Sequence, residues 1–182
     1  LMRDKPWDAS RALPWRDTEA VWESSWDMSN PVLLEKSPLN YVGTQDSEAN
    51  FQPVSFVVMV RDPYAHSEGL MRRNHWNVNF AASFAMMCLR TQLQNARNLD
   101  NALVLTYESL VQDPAQTCQN LETFLPQLGA LDHAASFEVH SVDGTLNRPI
   151  IDLNAKKIAA LSAETIAAMN KIFVQHRETM AA

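Results

Sequence analysis

Three short segments of this chain carry side chains that chemistry can use: Glu35-Lys36-Ser37-Pro38, Arg61-Asp62-Pro63 and Tyr107-Glu108-Ser109-Leu110. The first gathers an acid, a cation and a hydroxyl, which suits removal of a proton next to a developing negative charge. Alternation along an extended stretch sends Glu35 and Lys36 to opposite faces unless the chain is already turning before Pro38. Taken alone they also read as a solvated ion pair of little worth. Arg61 offers a fork of donors beside the N-terminus of a helix opened by Pro63, a sound place for an anion, and Ser67, one turn into that helix, can add a hydroxyl. Its competing roles are an ion pair with Asp62 or a cap on a sheet edge. Tyr107, taken alone, is a half-exposed aromatic at a strand end. The five histidines, at 66, 75, 133, 140 and 176, contain no H-x-x-x-H pair, and that spacing argues against a metal site.

The elements that must position these residues follow from the apolar pattern. Short continuous apolar runs at Val32 to Lys36, Ser55 to Arg61 and Ala102 to Tyr107 read as strands of a parallel sheet covered on both faces. Between them the period becomes helical. Helices are expected from Pro63 to about Arg73, from Val78 to about Asn98 and from Asp113-Pro114 to about Leu125. After a polar loop, Ser162 is the expected cap of a last helix reaching about His176, with Ile166, Met169, Ile172 and Phe173 as its apolar stripe. Near the start, Trp7, Trp15, Trp22 and Trp26 crowd a Pro-punctuated stretch, and the last three share one helical face after a possible cap at Asp17, a pattern that favours packing. Strands separated by helical crossovers place ligands beyond their carboxyl ends, where Glu35-Lys36-Ser37, Arg61-Asp62 and Tyr107-Glu108 stand.

In this order and spacing, Glu35-Lys36-Ser37-Pro38, then Phe56-Val57-Val58-Met59-Val60-Arg61-Asp62-Pro63, then Leu105-Thr106-Tyr107-Glu108-Ser109-Leu110 with Asp113-Pro114 and Phe124-Leu125, resemble the sulfotransferases that use 3′-phosphoadenosine 5′-phosphosulfate. The resemblance runs from about Pro31 to Phe173. It implies an α/β fold in which a parallel sheet with flanking helices forms a P-loop NTPase-like three-layer sandwich, here as one domain over residues 1–182. It implies transfer of a sulfuryl group from that donor to an acceptor hydroxyl or amine, without a metal. Glu35 then corresponds to the general base, with Lys36 beside it, and Arg61 to the residue that grips the donor's 3′-phosphate. The serine usual eight residues later is Gly69, so Ser67 is the substitute candidate. Tyr107 corresponds to a tyrosine near the adenine, and the aspartate two residues on is Ser109.

Two parts of the pattern are missing. The Pro-Lys-Ser-Gly-Thr-like loop that holds the 5′-phosphosulfate is absent, together with its lysine, and the late basic segment is replaced by His140-Ser141-Val142-Asp143-Gly144. The chain has only four glycines in 182 residues, Gly43, Gly69, Gly129 and Gly144, where average usage gives about thirteen. No Gly-rich phosphate loop can be written with that spacing, and a Walker-type kinase or ATPase is excluded with it. The expectation is therefore the central and C-terminal portion of such an enzyme, incomplete at its N-terminus. Its counterpart from another class is a non-catalytic nucleotide-binding or interaction module that keeps the fold without the donor loop.

Composition bounds the partners. A formal charge of −6 and a pI near 5.3 argue against a nucleic-acid or anionic-membrane surface and against a polyanionic glycan acceptor without a local basic patch. A small-molecule or glycan acceptor remains, with Arg72-Arg73 as the adjacent basic pair of the middle region and His75 and Trp76 as candidate lining of an acceptor cleft. No apolar run approaches the ~20 residues of a membrane span. Cys88 and Cys118 lack metal-ligand spacing and read as small buried hydrophobes. They permit a reducing compartment, so cytoplasm and Golgi lumen both stay open.

Overall fold

The computed structural model describes residues 14–37, 40–141 and 144–181; Trp7, Pro38, Val142 and Asp143 lie outside the described residues. The first helix, α1, spans Trp15–Glu23 and starts directly after Pro14, so Asp17 lies in its first turn and does not cap it. Trp15 and Trp22 meet the ring of Phe51 at 5.6 and 5.3 Å. Trp26 lies beyond the helix end, rests on Trp22 at 5.6 Å and donates its indole N–H to the Leu34 carbonyl at 3.1 Å. The tryptophan face is thus packing, as its spacing suggested.

The expected strand at Val32 to Lys36 does not form. Residues 32–36 join no ladder among the described residues, and Leu33 and Leu34 are exposed. Local side-chain bonds replace pairing: the Leu34 carbonyl accepts from Trp26, and the Glu35 carboxylate accepts from the Ser37 hydroxyl. A 3-10 turn at Asn40–Val42 and helix α2, Thr44–Asn50, follow. Asn95 anchors this region by donating to the Tyr41 carbonyl at 2.7 Å, and Glu48 accepts the Asp100 N–H at 2.9 Å.

The central unit is β1, Phe56–Val60, then α3, Pro63–Asn74, α4, Val78–Asn98, and β2, Ala102–Thr106. β1 and β2 pair in parallel, from Phe56 opposite Ala102 to Val60 opposite Thr106, which the intervening helices make possible as a crossover. Asp62 caps α3 by accepting from the backbone of Tyr64 and Ala65, Pro63 fills a first-turn position where no N–H is needed, and His75 ends the helix in a left-handed conformation with φ of 55°. Asn77 caps α4 through the Phe80 N–H.

The core sits where α4 meets α3, the last helix and the sheet. Ala65 of α3 and Ala81, Ala82 and Ala85 of α4 are completely or almost completely buried, so these helices approach closely on small side chains. Val58 and Leu105 are the buried residues of the sheet, one on each face in this register, and Met169, 0% exposed, comes from α8, Ala163–Ala181. Covering is incomplete on both faces of the pair: Val104, 44% exposed, stands beside Val58, and Val57 and Met59, 46% and 38% exposed, share the face of Leu105. The expectation that both faces are covered therefore fails among the described residues.

After β2 come α5, Tyr107–Gln112, and α6, Pro114–Phe124. An antiparallel pair, β3, Phe137–Ser141, and β4, Gly144–Arg148, forms a second sheet that the sequence reading left as a polar loop. Then α7, Asn154–Ala159, packs on α3. The chain is α/β, mostly helical with a small two-stranded parallel sheet, and among the described residues no helix is long and apolar enough to cross a membrane.

Candidate functional site

In register, β1 and β2 leave the sheet at the same end, so Arg61 and Tyr107 follow directly and lie side by side. Thr106 caps α5 through the Ser109 N–H at 2.9 Å, and the Ser109 hydroxyl reaches back to the Thr106 backbone, a reciprocal capping box. That is what Ser109 does here. Because α5 begins at Tyr107, the ring turns out of the strand line toward β1, and its hydroxyl is fixed by donating to the Ile151 carbonyl at 2.9 Å and accepting from Leu153 at 3.0 Å. The Arg61 guanidinium carbon stands 3.9 Å above the centre of that ring, a cation–π contact.

Two residues complete the arrangement: Glu108, from the expected strand-end segment, and Asn154, which the sequence reading did not single out. Asn154, at the start of α7 and 7% exposed, accepts the Nε proton of Arg61 at 2.8 Å and donates its amide N–H to Glu108 Oε1 at 2.5 Å. The same Glu108 oxygen accepts the backbone N–H of Asp62 at 2.9 Å. The amide's orientation is thereby fixed, because its acceptor end must face the guanidinium and its donor end the carboxylate. Arg61 makes no ion pair with Asp62, whose carboxylate accepts from Tyr64 at 2.8 Å and Ala65 at 3.0 Å. The first-turn donors of α3 are consequently engaged, and any anion here is met by side chains. One terminal guanidinium nitrogen of Arg61 is buried without a hydrogen-bond partner among the described residues.

A second layer of charge surrounds this group. The Lys157 ammonium, one turn along α7, is pushed down to about 8 by burial and then by the field of Arg61, with Arg72 and Arg73 adding repulsion and Glu68 opposing it. Burial, and after it Arg61 and Lys157, hold His66 below its ordinary value, so its imidazole is neutral at pH 7. Glu68 spends Oε1 on Arg72, at 3.1 Å. Within an acidic chain, α3 ends in Arg72 and Arg73 and α7 in Lys156 and Lys157, and of these Lys157 stands in the field of Arg61 as well as of the two arginines.

The remaining expected residues fall elsewhere. Ser67 is completely buried and donates its hydroxyl to the Pro63 carbonyl at 2.6 Å, so here it serves the first turn of α3. Glu35 is half-buried, accepting from Ser37 at 2.5 Å, while Lys36 is exposed. No recorded contact joins either of them to the Arg61 group. His75 and Trp76 line an open depression of about 470 Å³ with Glu68, Met71, Arg72 and Leu161. It lies at the far end of α3, whose 12 residues span about 18 Å, whereas the convergent polar groups gather at the near end. Among the described residues no group of three or more His, Cys, Asp or Glu is placed to hold a metal ion.

No family model matches the chain, and neither does any curated protein or solved structure. The arrangement itself can do one thing well. A charged donor fork, braced on an aromatic face and by an amide, with one nitrogen unspent, can receive a phosphate oxygen where the parallel strands end.

Proposed function

We propose that this chain is a sulfotransferase-type domain in which Arg61 receives the 3′-phosphate of 3′-phosphoadenosine 5′-phosphosulfate. The observation that carries this reading is the unspent, buried nitrogen of Arg61 at the carboxyl end of β1, over Tyr107. A buried donor of a charged group without a partner is costly, and a phosphate oxygen would satisfy it. The ordered segments around Glu35, Arg61 and Tyr107 support the same assignment, and the full three-layer sandwich around a longer parallel sheet belongs to this proposal. Tyr107 acts as the platform for the guanidinium, with the adenine alongside. In the reaction Glu35 takes the proton of an acceptor hydroxyl or amine as the acceptor atom bonds to sulfur, and the bond from sulfur to the bridging 5′-phosphate oxygen breaks to release 3′,5′-ADP. Lys36 supplies positive charge beside that step. The acceptor is a small molecule or a glycan.

A second reading, a nucleotide-binding module without transfer, is favoured by the lack of any Gly-rich phosphate loop in the sequence and by the Glu35 carboxylate being held by the Ser37 hydroxyl. Calorimetric titration with 3′,5′-ADP decides first. Binding by the wild type that Arg61→Ala abolishes supports the site; no binding by either overturns both readings. Release of 3′,5′-ADP from the sulfated donor with an added acceptor then separates enzyme from module.

A further inference from the structure

Lys157 has no evident reason to be where it is. Its side chain is half-buried, no hydrogen bond or ion pair joins it among the described residues, and the charges acting on it are Arg61, Arg72 and Arg73 against Glu68, whose Oε1 is held by Arg72 and whose buried Oε2 has no hydrogen-bond partner among the described residues, with the neutral His66 beside them. Withdrawing a cation from water into the field of other cations is unfavourable unless an anion compensates. The chain also leaves room for it. A Cβ at Gly69 would stand 3.2 Å from the Lys157 Nζ, a tighter approach than side-chain atoms normally make, so the bare glycine is what lets the ammonium settle against α3. Gly69 lies two turns into that helix, on the residue eight positions after Arg61, and α7 delivers both Asn154 to Arg61 and Lys157 to Gly69.

We propose that Lys157 and Arg61 form a two-cation seat for a phosphate monoester dianion, with Lys157 admitted by Gly69 and carried there by α7. The proposal rests on Arg61 as a phosphate ligand and adds the residue that sets the site's charge and its pH range. A dianion between the two cations removes their mutual repulsion and supplies acceptors to both, so binding draws a proton onto Lys157 wherever the free lysine has lost it. Phosphate monoesters are already dianionic above about pH 7 and His66 is neutral there, which leaves Lys157 as the site's titrating group between pH 7 and 10.

The test is calorimetry on the full chain with 3′,5′-ADP at pH 7.0 and 9.5, for wild type, Lys157→Met, Lys157→Arg and Arg61→Ala. With the free ammonium titrating at about 8, roughly 3% is charged at pH 9.5, so wild-type affinity should fall roughly 30-fold between the two pH values. Lys157→Met should bind roughly 10- to 100-fold more weakly at pH 7.0 and lose that pH dependence. Lys157→Arg, charged throughout, should keep binding within a few-fold and also be flat. Its flatness controls for every other titrating group. Wild-type binding that Arg61→Ala abolishes but that neither Lys157→Met nor the rise in pH alters overturns this inference and leaves the Arg61 reading intact. Weak binding by Lys157→Met with a flat wild-type pH profile also overturns it, because a structural role alone would then account for the loss. Absence of binding by the wild type removes both.

Discussion

Replacing Asn154 with alanine is the most direct probe of how the site is held. The side chain is 7% exposed and makes two bonds to charged groups, from Arg61 Nε at 2.8 Å and to Glu108 Oε1 at 2.5 Å. Its backbone N–H bond to Asp152, at 2.7 Å, survives the change. Hydrogen bonds to charged partners contribute about 1.5–3 kcal/mol each, so losing both costs about 3–6 kcal/mol if nothing compensates. Arg61 and Glu108 are only half-buried, however, so water and their direct attraction across the gap recover part, and a net loss of about 3 kcal/mol is expected. For a domain of this size that lowers Tm by about 6–12 °C. Urea denaturation followed by the fluorescence of the five tryptophans measures the loss directly. Asn154→Asp supplies the sign. Its second oxygen would face Glu108 Oε1, the two carboxylates would share a proton, and their folded titration would move up. A folded value above the unfolded one contributes stability at low pH that is lost as pH rises through it, so this variant should be weaker relative to wild type at pH 8 than at pH 5. A loss under about 0.5 kcal/mol in Asn154→Ala, with no pH-dependent penalty in Asn154→Asp, would refute the view that this amide braces Arg61.

Other consequences are independent of that bridge. Lys157 titrates lower in the folded chain than when unfolded, so the unfolded state holds more protons between about pH 8 and 10.5 and stability should rise with pH across that window; urea midpoints at pH 7.5 and 10 that fail to shift relative to those of Lys157→Met would contradict it. Gly69→Ala should raise stability by up to about 1 kcal/mol, because helix propensity improves while the only close atom is the mobile end of Lys157. Thermal melts with and without 3′,5′-ADP should show that gain together with a smaller ligand-induced shift. Met169→Ala, which removes a side chain 0% exposed between α8 and α4, should cost about 2–5 kcal/mol in urea denaturation. Toward a thiol reagent at pH 7.5, Cys88, 5% exposed and raised by burial, should stay unmodified in the native chain, whereas Cys118, raised by slight burial and then by Glu122 and Asp132, should react more slowly than a free thiol but to completion.

Much of the frame was legible because its signals are local. Pro63 after Asp62, Asn77 before Val78 and Asp113-Pro114 mark helix starts by capping chemistry, and the apolar runs at Phe56–Val60 and Ala102–Thr106 stop at polar residues. The same apolar signal misled at Val32 to Lys36, where no strand among the described residues completes a ladder and short polar bonds take over. The β3–β4 pair carried its own cue in the alternation of Phe137-Glu138-Val139-His140 ahead of the glycine at 144. In the site, Arg61 and Tyr107 stood out because strand ends are recognisable places. Asn154 and Lys157 did not, since their roles depend on α7 docking against α3, which no local pattern encodes; Lys156-Lys157, an adjacent basic pair after Asp152, was the available hint. Ser67 shows the converse, a hydroxyl at a plausible distance in sequence that the helix consumes itself.

The bond between Arg61 and Asn154 joins residues 93 positions apart, and the bonds from Glu108 to Asp62 and Asn154 each span 46. Contacts of that range are formed only after the intervening loops have been closed against their entropy, and during synthesis they wait for the chain to emerge. β1, α3, α4 and β2 can assemble early around their own apolar contacts, but the guanidinium and the Glu108 carboxylate then stand without the amide that separates and binds them. The strand ends are therefore the last part of this unit to acquire their final geometry, and α7, only six residues long, is the clasp that closes them.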